Sequence, residues 1–135
     1  MKPVAAAIVA RDGKVLITRR KNGEKLSGHW EFPGGKVEDG ETPQECLERE
    51  LQEELGVRAT AGAMIAESEY HYEHGSFRIL AVLATIEDKE FSLTVHDKAD
   101  WVTPGALLQY KLAPADVPIA KYVADYMKRQ SSMKE

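Results

Sequence analysis

The chain has 135 residues, 43% of them hydrophobic and 30% charged, with a formal net charge of −4. That length supports one domain with its own core, and the acidic balance excludes the basic face that duplex binding needs. A single cysteine, Cys46, excludes an intramolecular disulfide, and no apolar run reaches the ~18 residues of a membrane span.

The N-terminus lacks the charged-then-apolar pattern of a signal peptide, so a soluble, cytoplasmic protein is expected. Residues 3–10 read as a small-residue buried strand, Asp12-Gly13 as a hairpin turn and residues 14–19 as the returning strand. That strand ends in Arg19 and Arg20, whose side chains point to opposite faces. A polar loop over 21–29 leads to the short extended piece Trp30-Glu31-Phe32 and a glycine turn, Pro33-Gly34-Gly35-Lys36. Beyond the helix described below, residues 58–73 predict a long strand broken near Ala61-Gly62. His74-Gly75 turns the chain and 77–86 returns as an apolar strand. Phe91 to Val95 reads as a further short strand, and Thr103-Pro104 starts a brief helix through Leu108. From Asp116 or Val117 to about Arg129, Ile119, Val123 and Met127 recur at helical spacing. Alternating hairpins and helices predict an α/β fold, a mixed β-sheet with helices on both faces.

The most informative stretch is 33–57. Thr42 is a good N-cap, Pro43 fits the first helical position, and Glu45 completes a Thr-x-x-Glu capping box. Gly56 supplies a left-handed stop. On this helix Leu47, Leu51 and Leu55 form one apolar stripe, and Glu50, Glu53 and Glu54 fall on an arc beside it. Three carboxylates on one arc repel each other, whereas a divalent cation that prefers oxygen, such as Mg²⁺, reverses that sign. Cys46, on the same helix, is read as a packing residue.

The order Gly35, five residues, Glu41, seven residues, Arg49-Glu50-Leu51, one residue, Glu53-Glu54, one residue, Gly56-Val57 matches the Nudix box, 35–57, at every defined position. The chain therefore resembles the Nudix hydrolases, and the likeness runs from the first strand to about Tyr126 of a single domain, 1–135. The resemblance implies an α/β/α sandwich with the box helix laid on the sheet. It also implies metal held by Glu50, Glu53, Glu54 and the Gly34 carbonyl, with Mg²⁺ as cofactor and Mn²⁺ as a substitute. Arg49 pairs with Glu41 on this reading, joining loop to helix. Arg20, Phe32, Gly34, Gly35 and Lys36 are the candidate substrate contacts. Many relatives place a further glutamate six residues before the tryptophan that matches Trp101. Here that position is Val95, so Glu50 or Glu53 is the candidate base, with Asp97 or Asp100 as a substitute metal ligand.

The segment from Leu108 to Pro118 is similar to the C-terminal part of the MutT-like enzymes of the CTP pyrophosphohydrolase branch. Asp116 is the candidate base reader: an ionised carboxylate only accepts hydrogen bonds, which suits a base with an exocyclic amino group, such as cytosine. It also suits a cap of the last helix. The resemblance thus implies hydrolysis of nucleoside triphosphates to monophosphate and pyrophosphate. Cleanup of 8-oxo-dGTP and a non-catalytic nucleotide-sensing domain are the alternatives. The expected partner is a free nucleotide, with no nucleic acid polymer and no membrane, for a monomer or homodimer. His29, His71, His74 and His96 show no zinc spacing; His96, beside the missing glutamate, is the one to watch.

Overall fold

A computed structural model describes residues 1–133. Its elements in chain order are β1 (Lys2–Arg11), β2 (Lys14–Arg20), β3 (Trp30–Glu31), β4 (Gly34–Lys36), α1 (Pro43–Leu55), β5 (Ala59–Tyr72), β6 (Gly75–Ile86), β7 (His96–Val102), α2 (Pro104–Leu107), a 3-10 turn (Pro114–Asp116) and α3 (Val117–Met133). The main path of the sheet runs β3-β2-β1-β6-β5, with β4 on β1 and β7 on β2. Only the β1–β6 pairing among these is parallel, so the sheet is mixed, as expected.

Two apolar layers flank the sheet. On one side Leu47, Leu51 and Leu55 of α1 pack on Ala5, Ala7, Val9, Val82 and Ala84. On the other, Ile119, Val123 and Met127 of α3 pack on Ala6, Ile8, Ile79 and Ala81. The alternation along β1 sends its odd residues to α1 and its even ones to α3. Alanines let both helices lie close to the strand.

Two expectations fail here. The Gly34-Gly35 segment is no turn but a short strand antiparallel to β1, with Ala5 opposite Gly35 and Ala6 opposite Gly34. Phe91 to Val95 forms no strand either. That loop closes the C-terminal end of α1: Ser92 N–H donates to the Leu55 carbonyl (2.9 Å), and Thr94 Oγ1 lies 3.5 Å from the carbonyls of Glu53 and Glu54. The last turn of a helix leaves its carbonyls unpaired, and this loop satisfies them instead of extending the sheet. The strand comes later, as β7. Among the described residues no helix is long and apolar enough to cross a membrane.

Candidate active site

The start and end of α1 are built as its sequence dictates. Thr42 Oγ1 accepts from Glu45 N–H (3.0 Å), the Glu45 carboxylate accepts from Thr42 N–H (2.9 Å), and Gly56 is left-handed at φ 67°. The helix axis is thereby fixed against β1, and its acidic arc faces the β4 end of the sheet.

Arg49 is the hub of that arc. It forms a bidentate pair with Glu41 (Nε–Oε2 2.7 Å, Nη2–Oε1 3.0 Å), as the resemblance implies. It also reaches Glu50 Oε1 at 2.8 Å, Glu53 Oε2 at 3.5 Å and the Lys36 carbonyl at 3.4 Å. The guanidinium holds the Glu41 carboxyl down at about 2. Cys46 lies beneath, fully buried, with Sγ 3.5 Å from the Gly35 carbonyl. Burial pushes its thiol up to about 11, which makes it a packing group rather than a nucleophile.

Gly34 and Gly35 both serve close approach. A Cβ on Gly34, at φ 153°, would meet the Ala5 carbonyl oxygen at 2.0 Å; one on Gly35 would meet the Glu50 carboxyl carbon at 2.6 Å. Gly34 therefore permits the β1–β4 pairing, and Gly35 lets the Glu50 carboxylate lie against the strand. Glu54 is buried, and its Oε1 accepts from Gly34 N–H at 3.4 Å. Burial, then the nearby Glu31 and Glu50 charges, push Glu54 up to about 8. Burial also raises Glu50. Glu53 is exposed.

Among the described residues no three His, Cys, Asp or Glu side chains converge on one point, because Glu50 and Glu53 lean to Arg49 while Glu54 reaches back to β4. The donors nonetheless fit an oxygen-preferring divalent cation: three carboxylates and a strand carbonyl, with a buried carboxylate short of positive charge.

Arg20 and Arg19 divide as their alternation predicts. Arg20 lines a cavity of about 230 Å³ together with Glu31, Phe32, Gly35, Lys36 and Asp116. Arg19 makes a bidentate pair with Asp97 (2.7 and 3.0 Å) and lies over the Trp30 ring. Asp97 is thus engaged by Arg19; Asp100 stands opposite Ile17 and adds to the field on Arg19. Phe32 is 4% exposed and belongs to the α3-side core as well as the cavity wall. Asp116 closes the cavity, its Oδ2 accepting from Phe32 N–H at 3.1 Å. It stays in the 3-10 turn and makes no helix cap for α3. Burial, then the Glu31 charge, push it up to about 7. A larger cleft, about 470 Å³, lies between the Asp12-Gly13 turn and Tyr126 of α3, away from the acidic arc.

Sequence reasoning missed Glu31. Its Oε2 lies 3.0 Å from Arg20 Nε and 2.8 Å from the Nε2 of His96, whose side chain is fully buried. Nothing but the alternation of Trp30 and Glu31 along two strand residues could have signalled it.

Comparisons with known proteins complete the picture. The NUDIX domain model matches residues 1–125. The CTP pyrophosphohydrolase of Escherichia coli (strain K12) is 43% identical over 122 residues, 88% of each chain. The 8-oxo-dGTP diphosphatase of the same organism is 37% identical over 70 residues, 51% of this chain and 54% of that one. The solution structure of the E. coli ORF135 protein superposes with a TM-score of 0.80 at 37% identity, covering 97% of this chain and 92% of that one.

Proposed function

Since the chain belongs to the NUDIX domain family and is a Nudix hydrolase, we propose that it cleaves nucleoside triphosphates to monophosphate and pyrophosphate, with Mg²⁺ as cofactor and a cytosine-type base preferred. The observation that carries this reading is one cavity lined by a buried carboxylate, Asp116, together with Arg20, Gly35 and Lys36. The curated relative that matches 88% of the chain is a CTP pyrophosphohydrolase, which supports the same substrate.

Glu50, Glu53, Glu54 and the Gly34 carbonyl would hold the metal, which when bound neutralises phosphate charge. Arg20 and Lys36 supply cationic donors for the phosphate chain. Glu50, beside Gly35, takes the proton of the attacking water. Arg49 holds the Glu41 loop to the helix, so the strand and acidic arc keep their spacing. Asp116, anchored through Oδ2, offers Oδ1 to the amino group of the base. The domain is read as the whole of 1–135.

The direct test is pyrophosphate release with Mg²⁺ from CTP, dCTP, 5-methyl-dCTP, dGTP, 8-oxo-dGTP and ADP-ribose. Preference for the cytosine nucleotides is expected; preference for 8-oxo-dGTP would overturn the role of Asp116. Asp116→Asn, which converts an acceptor-only group into one that also donates, is expected to lower kcat/KM for CTP about 10- to 100-fold relative to 8-oxo-dGTP, the range of one hydrogen bond to a charged group.

A damaged-purine activity has one observation in its favour, the raised Asp116 carboxyl. Below about pH 7 Asp116 increasingly carries a hydrogen that it can donate to a base carbonyl; above it the carboxylate increasingly only accepts. Glu31 favours the protonated form, whereas Phe32 N–H and Arg20 favour the ionised one. The ratio of CTP to 8-oxo-dGTP turnover is therefore expected to rise from pH 6 to pH 8.5. Taking a ratio cancels the titration of the shared catalytic groups, and a flat ratio would remove Asp116 from base reading.

A further inference from the structure

The β2–β7 ladder contains an irregularity with a specific consequence. Arg19 pairs with Lys98, but Arg20 pairs with His96, which leaves Asp97 as an extra residue in β7. In an unbroken register Asp97 would stand opposite Arg20, and a carboxylate there would engage its guanidinium. The bulge instead sends Asp97 outward to Arg19, which grips it through two hydrogen bonds. It also turns His96 inward. Bulges re-aim side chains in this way beside functional sites.

The inward His96 makes one side-chain bond. Its Nε2 lies 2.8 Å from Glu31 Oε2, and its Nδ1 is buried with no partner. The carboxylate oxygen accepts in this bond and Nε2 donates. A fold seldom leaves a buried polar atom unpaired without compensation. What is gained here is the placement of Glu31, whose same oxygen forms an ion pair with Arg20 Nε at 3.0 Å. The ion pair holds the guanidinium beside Glu31 on its Nε side, and its two Nη nitrogens remain to donate. The Glu24 carboxylate stands 3.7 Å from Nη1, beyond hydrogen-bond distance.

We propose that Glu31 and His96 are positioning residues for Arg20: the bulge at Asp97 aims His96 at Glu31, and Glu31 presents the Arg20 Nη groups to the phosphate chain of the substrate. This rests on the triphosphate reading above. It explains why an aspartate at 97 beside two arginines does not quench the one that lines the cavity.

The test combines a thermodynamic cycle with a direct observation of the guanidinium. His96→Leu removes the donor, His96→Gln keeps one, and Glu31→Gln keeps an acceptor in an isosteric frame. His96→Leu is expected to raise KM for CTP about tenfold with kcat within about twofold, a loss of uniform binding. His96→Gln should recover most of that loss. In an Arg20→Ala background neither His96→Leu nor Glu31→Gln should change KM further, because coupled residues act as a unit. In ¹⁵N spectra of the free protein the Arg20 Nε–H signal, protected in wild type and His96→Gln, should be lost in His96→Leu and weakened in Glu31→Gln. The same KM increase on Arg20→Ala as on wild type, or an Arg20 Nε–H signal indifferent to His96 and Glu31, would overturn the proposal. Absence of turnover on any triphosphate by the wild type would overturn the substrate reading instead, and the Nε–H signal would still decide the clamp. If His96→Leu does not fold, Glu31→Gln completes the cycle alone.

Discussion

Replacement of Glu50 by Gln is expected to lower kcat for CTP about a thousandfold, within the 10²–10⁴ span that a positioned proton acceptor contributes. The carboxylate lies against the Gly35 backbone, where a single Cβ would occupy its space. Arg49 fixes one oxygen at 2.8 Å. Burial raises its proton affinity, which brings a carboxylate closer to the working range of a base at neutral pH. Glu53, the other candidate, is 59% exposed and touches Arg49 only at 3.5 Å, so Glu53→Gln is expected to cost only about tenfold. Neither amide should unfold the protein, because Arg49 keeps its bidentate hold on Glu41; a melting temperature within about 2 °C of wild type is expected. Side-by-side kinetics and thermal melts of the two variants decide the matter. Near-normal turnover of Glu50→Gln with a large loss in Glu53→Gln would exchange the roles.

Gly34→Ala is expected to be the most destabilising of the conservative changes near the site. The new methyl would sit 2.0 Å from the Ala5 carbonyl oxygen and 3.2 Å from Leu47 Cδ2, at a φ of 153°. The obstacle is backbone, which cannot turn aside as a side chain would. Relief requires β4 to leave β1, breaking the Ala6–Gly34 register and the Ala7 N–H to Pro33 carbonyl bond of 2.8 Å. A loss of about 3 kcal/mol follows from strain and lost pairing together, or a fall of roughly 10 °C in melting temperature for a domain of this size. Activity should fall with it, since the same strand carries the Gly34 carbonyl. A melt unchanged within about 2 °C would show that β4 is not held as described.

Where local chemistry decides the structure, the sequence was legible. The α1 cap, its glycine stop, the leucine stripe and the Arg49–Glu41 pair all depend on residues within one helix or its flanking loop, and each is present. The mixed sheet between helices followed from the order of elements. Long-range pairing was less visible. Gly34 and Gly35 look like a turn in isolation and become a strand because β1, about 30 residues earlier, offers an edge. Phe91 to Val95 has strand composition, yet the exposed carbonyls at the end of α1 claim its hydrogen bonds. The bulge at Asp97 has no local signature. It exists because Arg19, at the end of another strand, binds that aspartate, and with it came the inward His96 and the role of Glu31.

The parallel β1–β6 pairing has a consequence for how the chain acquires its structure. Lys2 to Val9 lie beside Phe77 to Ala84, so the central pair of the sheet joins segments separated by most of the domain. Closing so large a loop costs entropy before any contact repays it, and non-local pairing of this kind slows folding. On a ribosome, β1 and β2 emerge early but must wait for β6 before the sheet has its middle. The cavity is finished later still, when Asp116 arrives to meet Phe32. Until then the alanine-rich first strand has one edge open, and the β1–β2 hairpin is the part of the nascent chain most in need of shelter from other chains.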